Sequence, residues 1–112
     1  MRPESPKLLK DALDAADAIE RFVRGLDFDA YRANELVRSA VERQFEIVGE
    51  ALAQLRQRDA AVSRRIPEVD RIVAFRNVLI HRYADVDDRL VWSVVERKLP
   101  ALRAAVQSLL AE

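Results

Sequence analysis

The chain of 112 residues has no cysteine, two glycines and four prolines. Without cysteine no disulfide can form, so nothing in the sequence points to secretion. So few glycines and prolines leave little turn material for a sheet protein. No apolar run is long enough for a signal peptide or a membrane span, and residues 1–20 carry charges every few positions. We therefore expect a soluble cytoplasmic protein.

The sequence also contains a single histidine. One imidazole without any thiol cannot supply the ligand set of a typical zinc site, and no glycine-rich loop is present to bind phosphates. No serine lies in a nucleophile-elbow motif. We expect neither a metal nor a cofactor. The nineteen basic and nineteen acidic side chains cancel, which weakens the case for strong non-specific binding to nucleic acid.

The residues that are abundant favour α-helix. Apolar side chains recur every three or four positions through most of the chain. This spacing predicts a first helix over residues 6–24, with Ser5 as its N-cap and Gly25 just beyond its C-terminus. Residues 26–33 should form a connection to the next helix.

A long second helix should begin after Asp29 or Asn34, which are both plausible caps, and end near Arg58. Gly49 lies inside this helix, where glycine costs about 1 kcal/mol relative to alanine. We expect the missing side chain to permit the close approach of another backbone. Glu50, beside it, is either an exposed polar residue or a partner for an arginine of the third helix.

The second half of the chain contains two more helical patterns. A third helix follows a link over residues 59–67, which has room for one helical turn. Asp85 or Asp87 should cap the last helix, which Pro100 interrupts. We therefore expect one all-α domain over residues 1–112, an antiparallel bundle of four to five helices.

The one histidine, His81, lies in a stretch of core-type residues on the third helix. Two arginines, an asparagine and a tyrosine accompany it at positions 75–83, among phenylalanine, valine, leucine and isoleucine. Polar groups cost free energy when they leave water without partners, so the stretch contains either a buried network or a site. Imidazole moves protons near neutral pH, and guanidinium binds phosphate oxygens and stabilises developing charge. These groups together suit a phosphodiester substrate.

Helical spacing places Arg76 and Tyr83 on one side of the third helix, and Asn77 and His81 on another. Arg76 and His81 therefore do not converge on a regular helix. Either the helix ends near His81, or a second copy of the chain completes the site. Cleavage of RNA by its own 2′-hydroxyl usually needs both a base and an acid, and one chain has one imidazole. We favour a symmetric dimer with this stretch at its seam.

The pattern Arg76-x4-His81-x-Tyr83 resembles the Arg-x4-His-x-Tyr motif of the HEPN superfamily, in its HepT-like toxin branch. Residues 41–51 are similar to the second helix of that branch. Further similarities follow in the family's order at positions 86–87, 91–92 and 99–102. Where an aromatic residue often precedes the third helix, this chain has Val69, which we interpret as a packing variation.

This resemblance implies a helical bundle that dimerises and acts as a metal-independent endoribonuclease toxin. It also implies an antitoxin partner, a minimal nucleotidyltransferase of the MntA type, which silences some members by adenylylating the motif tyrosine. Carried over to this chain, the resemblance makes Arg76 and His81 catalytic. Asn77 would position the substrate or the imidazole, and Tyr83 would be the candidate for modification. Cleavage would leave a 2′,3′-cyclic phosphate end on the RNA.

Each of these assignments has a structural alternative. His81 could be a structural histidine satisfied by its neighbours. Arg76 could serve in an ion pair with Glu50 or Asp85. Asn77 could be a residue of the helix surface or a cap.

Tyr83 could simply pack with its hydroxyl at the rim of the core. We assign Arg82 to solvent or to the RNA backbone and give it no catalytic role. The main rival function is a HEPN fold retained as a binding module, which dimerises and binds the nucleotidyltransferase without useful nuclease activity. The chain is not expected to be the transferase itself, because it lacks a Gly-Ser pair followed by paired metal-binding aspartates.

Overall fold

The computed structural model describes residues 1–82 and 84–112, and the only regular structure within these residues is α-helix. Seven helices follow one another there: α1 (Ser5–Val23), α2 (Phe28–Ala33), α3 (Glu35–Arg58), α4 (Ala60–Ser63), α5 (Val69–His81), α6 (Asp88–Arg97) and α7 (Leu99–Leu110). The predicted all-α class is confirmed. The four long patterns correspond to α1, α3, α5 and the α6–α7 pair, while the short α2 and α4 raise the number above the four to five expected. No helix in this part of the chain is long and apolar enough to cross a membrane.

Helix α3 lies at the centre of the molecule. It packs along α1 and α5, and the short helices α2 and α4 lie near its two ends. Helix α7 packs on α1 and α6, which closes the bundle. Apolar side chains at three- and four-residue spacing on these helices form one continuous core. Its fully buried large members include Leu9, Ile19, Phe45, Leu52 and Leu102.

Residues 26–33 contain the helix α2, where we expected only a connection. Asp27 caps this helix, since its Oδ1 accepts a hydrogen bond from Ala30 N at 2.8 Å. Tyr31 is fully buried and packs on Trp92 of α6, with ring centroids 5.1 Å apart. A helix of six residues makes fewer than two turns, so its apolar residues show no helical period in the sequence.

Several predicted helix ends are confirmed. Gly25 follows α1 with a φ of 79°, a left-handed conformation that glycine adopts without strain. Asn34 caps α3, and Asp87 caps α6. Pro100 lies in the first turn of α7, after a break that separates this helix from α6. Asp29 and Asp85, the alternatives predicted from the sequence, do not cap these two helices.

The start of α1 differs from the prediction. The helix begins at Ser5 itself, and Ser5 does not cap it. Instead, the buried Ser5 hydroxyl donates a hydrogen bond of 2.7 Å to Asp59 Oδ2, and Arg2 N donates to the same oxygen at 2.9 Å. The Arg2 bond and then the Ser5 bond lower the pKa of Asp59 below its ordinary value. This contact ties the N-terminus to the junction of α3 and α4.

Candidate active site

The predicted site residues lie on α5 and in the segment that follows it. Helix α5 begins after Glu68, which has a left-handed φ of 56°, and ends with His81 as its last residue. One face of the helix is buried, and its members are Val69, Ile72, Val73, Phe75 and Leu79. The stretch that contains the histidine is therefore anchored in the core along one side and open to solvent along the other.

The side chain of Arg76 extends from α5 toward α3. A Cβ added at Gly49 would lie 2.2 Å from Arg76 Cβ and 2.6 Å from its Cγ. The close approach predicted at Gly49 is present, but side-chain atoms of Arg76 fill the space, and the nearest backbone atom, Arg76 Cα, would lie 3.5 Å from the added Cβ. Arg76 Nη1 donates a hydrogen bond to Glu50 Oε2, so Glu50 is its ion-pair partner. The Nε of Arg76 is buried and has no hydrogen-bond partner among the described residues.

His81 and Asn77 lie on the exposed side of α5, one turn apart. His81 is therefore not buried in the core. Asn77 lies inside the helix, so it is not a cap. Val78 and Ile80, which lie between the two polar residues, are also exposed. This side of the helix therefore combines an imidazole and an amide with apolar surface.

Arg76 and His81 point in different directions. Five residues of regular helix leave the two side chains about 140° apart around the helix axis. Arg76 reaches toward α3, while His81 is exposed to solvent. The helix does end at His81, but the break comes after this residue and so leaves its direction unchanged. One chain presents the two groups on separate surfaces.

Tyr83, the candidate for modification, lies outside the described residues. The turn that follows it borders a polar cleft of about 270 Å³. The cleft is lined by Glu35, Arg38, Ser39, Glu42, Ala84, Val86 and Asp88. Burial, and then the nearby carboxylate of Asp88, raise the pKa of Glu42. No sequence pattern singled out this cleft, because its residues come from two helices and the turn between α5 and α6. Neither its carboxylates nor any other group of such side chains in residues 1–82 and 84–112 is arranged to hold a metal ion.

Large apolar side chains are exposed on α3, α5 and α6. Arg56 in the last turn of α3 and Asp70 in the first turn of α5 are 2.8 Å apart, so the two helices run antiparallel. Glu50 and Arg76 give the same register, so the end of α5 lies beside the middle of α3. Val78 and Ile80 are exposed at the end of α5, and Leu36 and Leu90 are exposed near the starts of α3 and α6. Exposed apolar surface of this kind often marks an interaction site.

Known proteins resemble this chain along nearly its whole length. The family model described as ribonuclease HepT-like matches residues 12–109. A protein of Methanocaldococcus jannaschii, whose name assigns it provisionally as an RNase, is 30% identical over 99 residues, which cover 88% of this chain and 90% of that protein. A Thermococcus cleftensis protein named probable ribonuclease HepT is 29% identical over 109 residues, which cover 97% of this chain and 98% of that protein. No solved structure matches the chain. The chain therefore belongs to the HepT-like ribonuclease family of the HEPN superfamily.

Proposed function

We propose that this family member is an endoribonuclease toxin that cleaves RNA without a metal ion, with Arg76 and His81 as its catalytic groups. Membership in the HepT-like ribonuclease family supports RNA as the substrate. The observation that carries the proposal is the position of the one imidazole: His81 is exposed at the end of α5, one turn after Asn77. An exposed imidazole on a rigid helix can reach a bound phosphodiester, whereas a buried one cannot.

The proposed reaction is attack of the ribose 2′-oxygen on the adjacent phosphorus. An imidazole takes the proton of the 2′-hydroxyl, and a protonated imidazole gives a proton to the departing 5′-oxygen. One P–O bond forms and one breaks, so the products are a 2′,3′-cyclic phosphate and a 5′-hydroxyl. The Arg76 guanidinium binds the non-bridging phosphate oxygens and stabilises their charge as it grows. Asn77 positions the substrate or the imidazole.

The proposal includes a symmetric dimer with α5 at its seam. One chain holds Arg76 against α3 and presents His81 on another side, so a single chain does not bring them together. A two-fold axis at the exposed face would place two imidazoles near each other, one to act as the base and one as the acid. The exposed side chains of Val78 and Ile80 beside His81 support a protein contact there.

The first test is cleavage of single-stranded RNA in EDTA by the wild-type protein, His81→Ala and Arg76→Ala. We expect the wild type to cut and both variants to lose at least roughly a hundredfold in rate. Acid–base catalysis by His81 contributes about 10²–10⁴-fold, and loss of a group that stabilises developing charge, such as Arg76, costs about 10²–10³-fold. Melting midpoints show whether each variant is folded, which matters most for the half-buried Arg76. Equal cutting by all three proteins would refute the proposal.

Mixed dimers test whether cleavage needs an imidazole from each of two chains. Wild-type chains are mixed with His81→Ala chains in varied proportion under conditions that allow subunit exchange. If a pair needs both imidazoles, the cleavage rate falls with the square of the wild-type fraction. If each chain works alone, the rate falls linearly, and the shared site is wrong. Mixing with Arg43→Ala, a substitution on the exposed surface of α3, should leave the total rate unchanged.

We also propose that a minimal nucleotidyltransferase of the MntA type is the antitoxin partner and that it silences the toxin by adenylylating Tyr83. The position of Tyr83 two residues after His81 supports this, because an adenylyl group would add negative charge and bulk next to the RNA. Intact mass of the protein made with and without the partner is the measurement. A gain of one adenylyl group that Tyr83→Phe abolishes is expected. Full neutralisation at unchanged mass would mean inhibition by contact instead.

A second function has one observation in its favour. Arg76 is already bound to Glu50, which suits a structural ion pair as well as a catalytic group. The chain would then be a binding module that dimerises and binds the nucleotidyltransferase without cutting RNA. Expression in a host cell separates the two functions. Growth arrest that His81→Ala abolishes supports the enzyme, and harmless expression with tight partner binding supports the module.

A further inference from the structure

Two adjacent residues of α3 hold Arg76 in place. Gly49 leaves the space that the Cβ and Cγ of Arg76 fill, and Glu50 accepts a hydrogen bond from the Arg76 guanidinium. The Arg76 side chain is 18% exposed, while that of Glu50 is 55% exposed. The guanidinium is therefore fixed at its root by packing and at its end by a carboxylate that remains open to solvent.

The same two helices share a second ion pair, which serves as an internal comparison. Arg56 Nη1 and Asp70 Oδ1 lie 2.8 Å apart, and their side chains are 45% and 79% exposed. Neither residue belongs to the proposed site. An exposed ion pair of this kind contributes little to stability, so its only role is a weak contact between α3 and α5. The Arg76 pair differs because its cation is largely buried and belongs to the proposed catalytic groups.

We propose that Glu50 is a positioning residue for the RNA cleavage proposed above, and that it orients the Arg76 guanidinium toward the scissile phosphate. This inference rests on the proposed ribonuclease function. A guanidinium presents five N–H donors in a rigid plane, and Glu50 binds the donor group at Nη1, which leaves the Nη2 donors for phosphate oxygens. A guanidinium fork that is held in one orientation before RNA binds does not have to reorient while charge develops in the transition state.

Removal of the Glu50 charge separates this role from two others. If the pair only braces α3 against α5, removal leaves cleavage unchanged. If Glu50 keeps the guanidinium away from RNA, removal increases kcat/KM. If Glu50 positions Arg76, removal lowers kcat while the KM for RNA stays the same or falls, because a negative charge has been lost beside the phosphate.

The test compares Glu50→Gln and Glu50→Ala with Asp70→Asn in steady-state cleavage of a labelled RNA. E50Q and D70N are matched, since each converts the carboxylate of one α3–α5 ion pair into an amide. We expect kcat to fall roughly tenfold in E50Q and toward roughly a hundredfold in E50A. We expect D70N to stay within about twofold of the wild type. Melting midpoints identify unfolded variants, and E50Q decides the question if E50A does not fold.

A double-mutant cycle shows whether Glu50 acts through Arg76. Arg76→Lys keeps the positive charge but replaces the planar fork by a point charge, so there is no fork left to orient. In single-turnover cleavage, we expect E50Q to change the rate of the Arg76→Lys protein by less than about twofold. The same tenfold loss in both backgrounds would show that Glu50 acts independently of the fork and would overturn the inference.

The outcomes also distinguish failure of the inference from failure of the proposed function. A wild-type protein that does not cut RNA, or one that cuts no faster than His81→Ala, removes the function and this inference with it. A wild type that cuts, an inactive His81→Ala and an E50Q variant at the wild-type rate overturn only the role of Glu50. A higher kcat/KM in E50Q overturns it as well and makes Glu50 an inhibitor of the site.

Discussion

Replacement of Gly49 by alanine should destabilise the protein, although alanine is the better helix former. In an open helix interior, this change stabilises by about 1 kcal/mol. Here the added Cβ would lie 2.2 Å from Arg76 Cβ and 2.6 Å from Arg76 Cγ. Carbon atoms pack at about 3.5–4.0 Å, so α3 and α5 would have to separate by more than about 1 Å. The Cβ of Arg76 is attached to the backbone, so a change of rotamer does not relieve the contact.

The magnitude follows from two opposing terms. Overpacking typically costs about 1–3 kcal/mol, and displacement of a whole helix belongs at the upper end of this range. Against the gain of about 1 kcal/mol from helix propensity, the net loss is about 2 kcal/mol. For a chain of this length, that loss lowers the melting midpoint by about 8 °C. Thermal unfolding followed by circular dichroism measures it, and RNA cleavage should fall as well because Arg76 moves.

A control on the same helix separates propensity from the clash. Arg43 is exposed in α3, so the stability difference between Arg43→Ala and Arg43→Gly gives the local preference for alanine. We expect R43A to be more stable than R43G by about 1 kcal/mol, and Gly49→Ala to be less stable than the wild type. If Gly49→Ala instead gains the stability that the Arg43 variants indicate, α5 does not approach α3 here, and the account of Arg76 is wrong.

Three further predictions concern a buried carboxylate, a cap and the exposed face of α5. Asp59→Asn should lower the melting midpoint at pH 7, because an amide offers one acceptor oxygen where both carboxylate oxygens accept hydrogen bonds. Since these bonds lower the pKa of Asp59, its stabilising contribution is present at neutral pH and is lost below about pH 3.9, as the pH falls through the lowered pKa. The two melting midpoints should therefore approach each other as the pH falls through the lowered pKa of Asp59, and a constant difference would contradict this account. Asp87→Ala removes the N-cap of α6 and should cost about 1 kcal/mol in urea unfolding, whereas an unchanged midpoint would mean that the cap is dispensable. Asn77→Ala should leave the melting midpoint unchanged, because the side chain is exposed, and should reduce RNA cleavage less than His81→Ala; equal losses would make the amide as important as the imidazole.

The long helices and the contact at Gly49 could be predicted because local rules agree there. Apolar spacing over many turns defines α1 and α3, and the caps Asn34 and Asp87 follow from residue type. A glycine inside a long helix has a cost that something must offset, which indicated a close neighbour. The sequence left Glu50 and Asp85 open as partners of Arg76, because Arg76 lies 26 positions beyond Glu50 and only the packing of α5 on α3 joins them.

Local rules failed where a distant group competes. Ser5 has the residue type and position of an N-cap, but its hydroxyl binds Asp59, 54 positions away. A hydrogen bond to a carboxylate is stronger than one to a backbone amide, so the distant partner is preferred. Val78 and Ile80 are a second case, because they read as core residues in the sequence and are exposed in the fold. Hydrophobic spacing does not show which side of a short apolar helix another chain could cover.

The position of Arg76 follows from the register of α3 against α5. Two ion pairs define this register: Glu50 lies beside Arg76, and six residues further along α3 Arg56 lies beside Asp70. The helices are antiparallel, so a step forward along one is matched by a step back along the other. Any substitution that shifts this register moves Glu50 relative to Arg76 and so changes the direction of the guanidinium. The guanidinium is therefore oriented by contacts within the chain itself.

The His81 imidazole, unlike the Arg76 guanidinium, is not held by the packing of α5 on α3. His81 is the last residue of α5 and is exposed, so the packing that fixes Arg76 does not extend to its ring. In the proposed reaction, the groups that orient the ring would then come from bound RNA or from a second chain. Substitutions on the α3 face should therefore change the cleavage rate while assembly is unchanged. Substitutions of the exposed Val78 or Ile80 should change assembly first, and the cleavage rate only as a consequence.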